Sequence, residues 1–189
     1  MSNINITADD LSGLKDKVAI ITGAGQGIGL AAAQLFALHG AIVYIADLHP
    51  PEKLPQRASF VKCDVTKWAD LLALFTRVQQ EHGRIDTVIA NAGIAEVEDL
   101  FVDEFDEATG ALREPKHTVI AVNLIGVINT IKLAVHHMRK QSSTGSIILT
   151  SSSAGYIGEP GLPAYTATKH AVRKIYLLLC LKCATLQIN

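Results

Sequence analysis

The sequence predicts an α/β fold, a doubly wound parallel sheet with helices on both faces. Two observations predict it. Short, continuously apolar runs, such as residues 17–22 and 85–90, alternate with longer segments of helical spacing along most of the chain. Strands that are apolar at every position, rather than every second one, are buried on both faces. Helix-length segments between them require crossovers, and right-handed crossovers lay helices on both sides of a parallel sheet.

Residues 17–22 (KVAIIT) are the first strand, and residues 28–39 the first helix, ended by Gly40. Residues 41–46 are the second strand, stopped by Asp47 and Pro50-Pro51, and residues 59–63 are the third. A helix over residues 68–81 sets Leu71, Leu72, Phe75 and Val78 on its inner side; Trp68 opens it and is expected to pack, and Gly83 caps it. Residues 85–90 form strand four. The least regular stretch, 95–114, holds the acid-rich run 96–107 and Gly110, and is expected at the surface. A helix over 115–140, a fifth strand at 146–150 and a last helix opened by Pro163 complete the order.

At 189 residues the chain suits a single domain, residues 1–189, with a polar N-terminal extension over 1–13 and an atypical end over 172–189. Hydrophobic residues make up 49% and the net charge is -1, which argues against disorder and against an electrostatic grip on nucleic acid or an acidic membrane. A small, uncharged partner is favoured. No basic-then-apolar leader opens the chain, and no segment is expected to reach the roughly 18 apolar residues of a membrane helix, so a soluble, cytoplasmic protein is expected. Three cysteines suit a reducing compartment. Cys180 and Cys183 supply two ligands where zinc takes about four, and His136 and His137 point about 100° apart on a helix, so no metal site is expected. His170 reads as a helix-surface residue.

Thr22-Gly23-Ala24-Gly25-Gln26-Gly27-Ile28-Gly29 closes the first strand. Its glycines are spaced Gly-x-x-x-Gly-x-Gly rather than Gly-x-Gly-x-x-Gly, yet they answer the same need: a tight turn, bare backbone beside a pyrophosphate, and a helix N-terminus that favours anions. Asp47 ends the second strand, where a carboxylate accepts hydrogen bonds from ribose hydroxyls and repels a 2′-phosphate. Tyr165 and Lys169 stand one helical turn apart, with three serines, Ser151 to Ser153, upstream.

With those motifs in this order, the chain resembles the short-chain dehydrogenase/reductase family over about residues 13–171. Ala90-Asn91-Ala92-Gly93 is similar to the family's Asn-Asn-Ala-Gly element, with Ala90 in place of the first Asn. The resemblance implies a Rossmann fold and a catalytic set of Asn123, Ser152, Tyr165 and Lys169. It also implies a dinucleotide site formed by Gly23, Gln26, Gly27, Ile28, Gly29, Asp47, Asp64, Val65, Asn91, Ala92 and Gly93, together with Tyr165 and Lys169. Ser152 is chosen because it lies thirteen residues before Tyr165, the family's spacing; Ser151 and Ser153 are expected to bond to nearby backbone in the turn.

The implied reaction moves a hydride between nicotinamide and a secondary alcohol or ketone of a small molecule, of the kind met in biosynthetic pathways. Tyr165 moves the proton, Lys169 favours the phenolate and holds the nicotinamide ribose, Ser152 binds the substrate oxygen, and Asn123 holds a water that relays protons towards Lys169. Asp47 implies NAD(H) in preference to NADP(H), the alternative. Self-association through the Tyr165/Lys169 helix is a further expectation. Beyond residue 171 the chain departs from the family pattern, which continues into a Pro-Gly loop, a substrate-covering segment and two more strands. The sheet is therefore expected to lack its last one or two strands. The alternative function is a catalytically silent dinucleotide-binding remnant, or a partner of a full-length homologue.

Overall fold

The computed structural model describes residues 9–96, 99–141 and 144–186, with side chains from 11 to 179. A 3-10 turn, Asp9–Leu14, leads into β1 (Val18–Thr22) and α1 (Gly27–Leu38); then come β2 (Ile42–Asp47), β3 (Ala58–Lys62), α2 (Trp68–His82) and β4 (Thr87–Ala90). The helix α3 (Thr118–Met138), the strand β5 (Ser146–Leu149) and the helix α4 (Pro163–Leu186) follow. Within the sheet described, the strands pair in parallel and the five-stranded order is β3-β2-β1-β4-β5. The doubly wound parallel sheet is thus as expected, with boundaries shifted by a residue or two in most elements. Residues 1–8 of the polar extension lie outside the described residues, as do the side chains of Cys180 and Cys183.

The central strand is buried at every position. Because successive side chains point to opposite faces, Ile20, Tyr44 and Val88 enter one core with Leu71, Leu74, Phe75 and Val78 of α2 and Leu133 of α3. Ile21, Ile45 and Ile89 enter the other, against Ala33 and Ala37 of α1. Small residues on α1 let that helix lie close to the sheet, while the bulkier α2 face fills a deeper layer. Two details of α2 differ from expectation. The buried row is Leu71, Leu74, Phe75 and Val78, the i, i+3, i+4, i+7 stripe, and Leu72, about 100° round the helix, is 42% exposed. Trp68 opens the helix but is 45% exposed, since it stands at the first position, where little of the sheet reaches.

By length and composition α3 is apolar enough to cross a membrane, with mean hydropathy 1.8, where the sequence reading expected no such segment. Its apolar character serves the core: Val119, Val127, Ile131, Leu133, Ala134 and Met138 are buried, and it packs against α2, α4 and the sheet. A π-helical segment, Ala121–Gly126, interrupts its first turns and carries Asn123. Such segments widen a helix locally and recur at functional sites. Gly126 permits the close approach, because a Cβ there would stand 2.8 Å from Val65 Cγ2.

The last helix, α4, packs Val172, Ile175 and Leu179 against Val127, Ile131 and Leu149. Of the apolar run that begins at Ile175, then, Ile175 and Leu179 pack into this cluster, whereas Tyr176, Leu177 and Leu178 are more than a third exposed. The strand β5 is the outer strand next to β4, and Ile148 on it is 45% exposed. Residues 99–113 form an exposed excursion, as expected, closed by a bridge between Phe105 and Leu112 and by Asp106, whose Oδ1 accepts from Ala108 N and Thr109 N.

His137 is half-buried and stacks on Phe75, with ring centroids 5.8 Å apart. Burial, and then the charges of His136 and Lys140, hold its imidazole below the usual histidine range. The unfolded chain therefore binds a proton in a window where the folded one does not, and stability is lost as pH falls from about 6.5 through the lower, folded value. Replacing His137 with Phe keeps the stack and removes the titration. Urea midpoints taken between pH 5 and 7 are expected to fall less steeply for His137→Phe than for the native chain; equal slopes would contradict the assignment.

Candidate active site

The order β3-β2-β1-β4-β5 reverses direction between β1 and β4, and in open parallel sheets a crevice forms at that switch, outside the carboxyl ends of the strands. Here the crevice is a cavity of about 990 Å³. Its walls include Gly23, Gln26, Gly27 and Ile28 after β1, Asp47 after β2, Asp64 and Val65 after β3, Asn91, Ala92 and Gly93 after β4, and Ser152, Tyr165 and Lys169. Segments far apart in sequence thus supply one site. Gly29 lies just behind its wall.

The glycines divide into two jobs. Gly23 (φ 65°) and Gly29 are packing positions: a Cβ on Gly23 would stand 2.5 Å from Ala92 Cα, and one on Gly29 would stand 2.3 Å from Gly23 O and 2.5 Å from Asn91 Nδ2. Gly27 (φ 57°) faces open space instead. Gln26, the residue before α1, is extended and offers the helix no side-chain cap. The first N–H groups of α1 are therefore left to whatever enters the cavity, which suits a phosphate. The residues present fit a dinucleotide: bare backbone beside an uncapped helix N-terminus, with carboxylates beyond it.

Those carboxylates are anchored. Asp47 Oδ2 accepts from Gly25 N at 2.8 Å, and its Oδ1 from His49 N at 3.3 Å. Asp64 Oδ1 accepts from Thr66 N and Thr66 Oγ1, and Lys67 lies 3.5 Å from Oδ2; the bonds from Thr66 foremost, with Lys67, hold its carboxyl below the usual range. Behind them Cys63 is buried, and burial, reinforced by Asp70 and Asp64, pushes its thiol up to about 12, so it stays protonated and inert.

Asn91 joins three strand ends. Its Nδ2 donates to Thr22 O and Gly23 O at 3.2 and 2.9 Å, and its Oδ1 accepts from Thr150 Oγ1 at 3.2 Å. Thr22 Oγ1 in turn accepts from Asn91 N and Ala92 N. Ala90, standing where the family carries an Asn, is simply buried in the β4 core.

On α4, Lys169 is 5% exposed, with Nζ donating to Thr150 O at 2.9 Å and standing 5.5 Å from the centre of the Tyr165 ring. Burial pushes its ammonium below the usual lysine range. Gly93 leaves the space beside it clear: a Cβ there would lie 3.6 Å from Lys169 Nζ and 3.4 Å from Asn123 Oδ1.

The structure brings Ser152, Tyr165 and Lys169 to one wall and sets Asn123 behind it. Asn123, 1% exposed, grips Ile94: Oδ1 accepts from Ile94 N at 2.9 Å and Nδ2 donates to Ile94 O at 2.8 Å. Its amide thereby holds the end of the 91–94 loop. The serines differ from expectation in their bonding. Ser152 itself makes the local turn bond, accepting from Ala154 N at 3.2 Å, and Ser151 reaches across to Lys169 O at 3.4 Å. A hydroxyl that accepts with one lone pair keeps its proton to donate, so Ser152 stays competent to bind an oxygen in the cavity. His170 is half-buried and bonded to Thr166 O, not a bare surface residue.

Thr150, Thr168 and Glu96 escaped the sequence reading. Thr150 links Lys169 to Asn91, and Thr168 Oγ1 donates to Tyr165 O at 2.7 Å. A threonine ending a strand beside a serine run was a signal for the first. Glu96 reads in sequence as one more acid of a solvated stretch, yet its carboxylate meets the start of α4.

The two classes of glycine are expected to respond differently to substitution. Gly29→Ala forces a Cβ into backbone and is expected to lose about 1–3 kcal/mol of stability, the usual range for overpacking. Gly27→Asn, facing open space with a residue that tolerates positive φ, is expected to lose less than about 1 kcal/mol. Urea unfolding of both variants checks this, and equal losses would contradict the division.

A profile of the short chain dehydrogenase family matches residues 17–189. The chain is 43% identical over 171 residues to the short-chain dehydrogenase/reductase prx4 of Penicillium roqueforti, covering 89% of this chain and 50% of that protein. It is 45% identical over 160 residues to the short-chain dehydrogenase/reductase ascJ of Acremonium egyptiacum, covering 82% and 54%. The 3-ketoacyl-(acyl-carrier-protein) reductase of Brucella melitensis, solved in complex with NADH, superposes with a TM-score of 0.79 at 28% identity, covering 93% of this chain and 74% of that one. The chain spans about half the length of the curated relatives it matches. By the profile, by these relatives and by the cavity that its strand ends form, the chain belongs to the short-chain dehydrogenase/reductase family.

Proposed function

We propose that this chain is the dinucleotide-binding and proton-transferring part of an oxidoreductase that interconverts a secondary alcohol and a ketone, with NAD(H) preferred over NADP(H). The observation that carries the reading is the convergence of Ser152, Tyr165 and Lys169 on the same 990 Å³ cavity as the glycine loop and Asp47. A bound nicotinamide would supply the hydride acceptor or donor. The chain's own residues do the rest: Tyr165 exchanges a proton with the substrate oxygen, Ser152 donates to that oxygen, and the Lys169 ammonium stabilises negative charge on the phenol.

The charge distribution supports the cofactor preference. Asp47 and Asp64 stand at one part of the wall, and Lys169 is the only lysine or arginine among the described residues that line it. A 2′-phosphate beside Asp47 meets repulsion with no cation to offset it. The site suits a cytoplasmic protein with a small-molecule substrate. The exposed apolar side chains of Tyr176, Leu177 and Leu178 support self-association through α4, the Tyr165/Lys169 helix.

The chain's span, about half of its curated relatives, and the exposed Ile148 on β5 support a second reading, a dinucleotide-binding segment that turns over only with further chain beside β5. Turnover by the 189-residue chain, compared with a version extended by a family-like C-terminal portion, separates the two.

Titrations with NADH and NADPH are expected to show at least about tenfold tighter binding of NADH, or about 1.4 kcal/mol, and Asp47→Ala to narrow the gap; tighter NADPH binding by the native chain would overturn the preference. Tyr165→Phe is expected to lower turnover by roughly 10²–10⁴-fold while NADH binding changes little. Retention of most activity would remove Tyr165 from the proton transfer.

A further inference from the structure

The first turn of α4 is held from outside the helix. Pro163 has no N–H, and the next two donors, Ala164 N and Tyr165 N, both point at one carboxylate: Glu96 Oε1 accepts from Ala164 N at 2.9 Å and Glu96 Oε2 from Tyr165 N at 3.0 Å. The donors at a helix start have no partner within the helix, and a carboxylate there gains from both hydrogen bonds and the helix dipole. Helices are usually capped by a residue adjacent in sequence. Here the cap comes from 68 residues earlier.

The segment carrying Glu96 is itself fixed. Two residues before it, Ile94 is clamped through both backbone groups by the Asn123 amide, and Asn91 and Ala92 are bonded to Thr22. Hydrogen bonds at residues 91–92, 94 and 96, joined by the backbone between them, therefore tie the end of β1 and Asn123 to the backbone of Tyr165. The bond from Thr168 Oγ1 to Tyr165 O lies within α4, and Thr168 is tied to another element by a long bond, Asn123 Nδ2 donating to Thr168 Oγ1 at 3.5 Å.

We infer that Glu96 is a positioning residue, which sets the place of Tyr165 relative to the cavity by gripping the first turn of α4 with both carboxylate oxygens. The inference rests on the proposed role of Tyr165 as the proton-transferring group. It requires two acceptor oxygens, so Gln, with a single acceptor, retains half of the grip and Ala retains none.

The test uses the 189-residue chain and its Glu96→Ala, Glu96→Gln and Tyr165→Phe variants, the last assigning the Tyr165 signal in ¹³Cζ-tyrosine spectra. Glu96→Ala is expected to raise amide hydrogen exchange at Ala164 and Tyr165 at least tenfold and to shift or broaden the Tyr165 ¹³Cζ resonance. NADH affinity, which the glycine loop supplies, is expected to stay within threefold. Glu96→Gln is expected to fall between, and serves if Glu96→Ala does not fold. With NADH and ethyl acetoacetate as probe ketone, Glu96→Ala is expected to lower kcat at least tenfold with KM within threefold. Unchanged exchange and an unchanged Tyr165 resonance in both Glu96 variants would overturn the inference, as would an unchanged kcat beside a native chain that turns over. An active Tyr165→Phe variant would instead sink the proton-transfer reading and leave the exchange result standing.

Discussion

The carboxyl edge of the sheet depends on the crossing between the loop after β1 and the loop after β4. Gly23 and Ala92 touch there with no room for a side chain, Asn91 Nδ2 donates into the glycine loop, and Gly29 brings α1 down against both. Parallel strands diverge at the point where the chain reverses its winding direction, and without such a tie the two halves would leave an ill-defined gap. With it the gap becomes a cavity with one shape. The tie is built from backbone contacts and one amide, which is why bulk is excluded at Gly23 and Gly29 but not at Gly27.

From that crossing, order passes outward to the side chains proposed to react. Asn91 takes a hydrogen bond from Thr150, and the Thr150 carbonyl holds the Lys169 ammonium. Asn123, presented by a π-helical segment that Gly126 lets lie close to Val65, holds Ile94. A buried ammonium is destabilising by itself, and the lowered pKa of Lys169 is the same fact stated in protons. Strain of that kind persists where the surrounding fold over-determines it, and here the sheet beneath is buried on both faces at β1 and β4.

Much of this was legible in the sequence. Short apolar runs marked the five strands because both faces of a parallel sheet are covered, and the glycine cluster with Asp47 marked the dinucleotide-type turn after the first strand. The misses have physical causes. Leu72 was mistaken for Leu74 because three leucines crowd one turn of α2 and only three-dimensional phase separates them. Asn123, Asn129 and Lys132 break the apolar run of the helix 118–138 in sequence, whereas its mean hydropathy of 1.8 averages over them. The grip of the Asn123 amide on Ile94 was not legible either, because no spacing rule identifies that partner. Glu96 was hidden by its neighbours, since an acid within an acid-rich stretch looks solvated until the fold lays the start of α4 against it.

The central claim is that the ends of all five strands form one dinucleotide site in this chain. Amide hydrogen exchange measured with and without NADH tests it most directly. The account requires slowed exchange together at residues 23–29, 47–49, 91–94 and 150–153, at a single NADH concentration dependence, with the outer surface of the 104–113 excursion unchanged. Protection confined to the glycine loop, or none at 91–94 and 150–153, would contradict a shared site and leave the reactive residues without a common ligand.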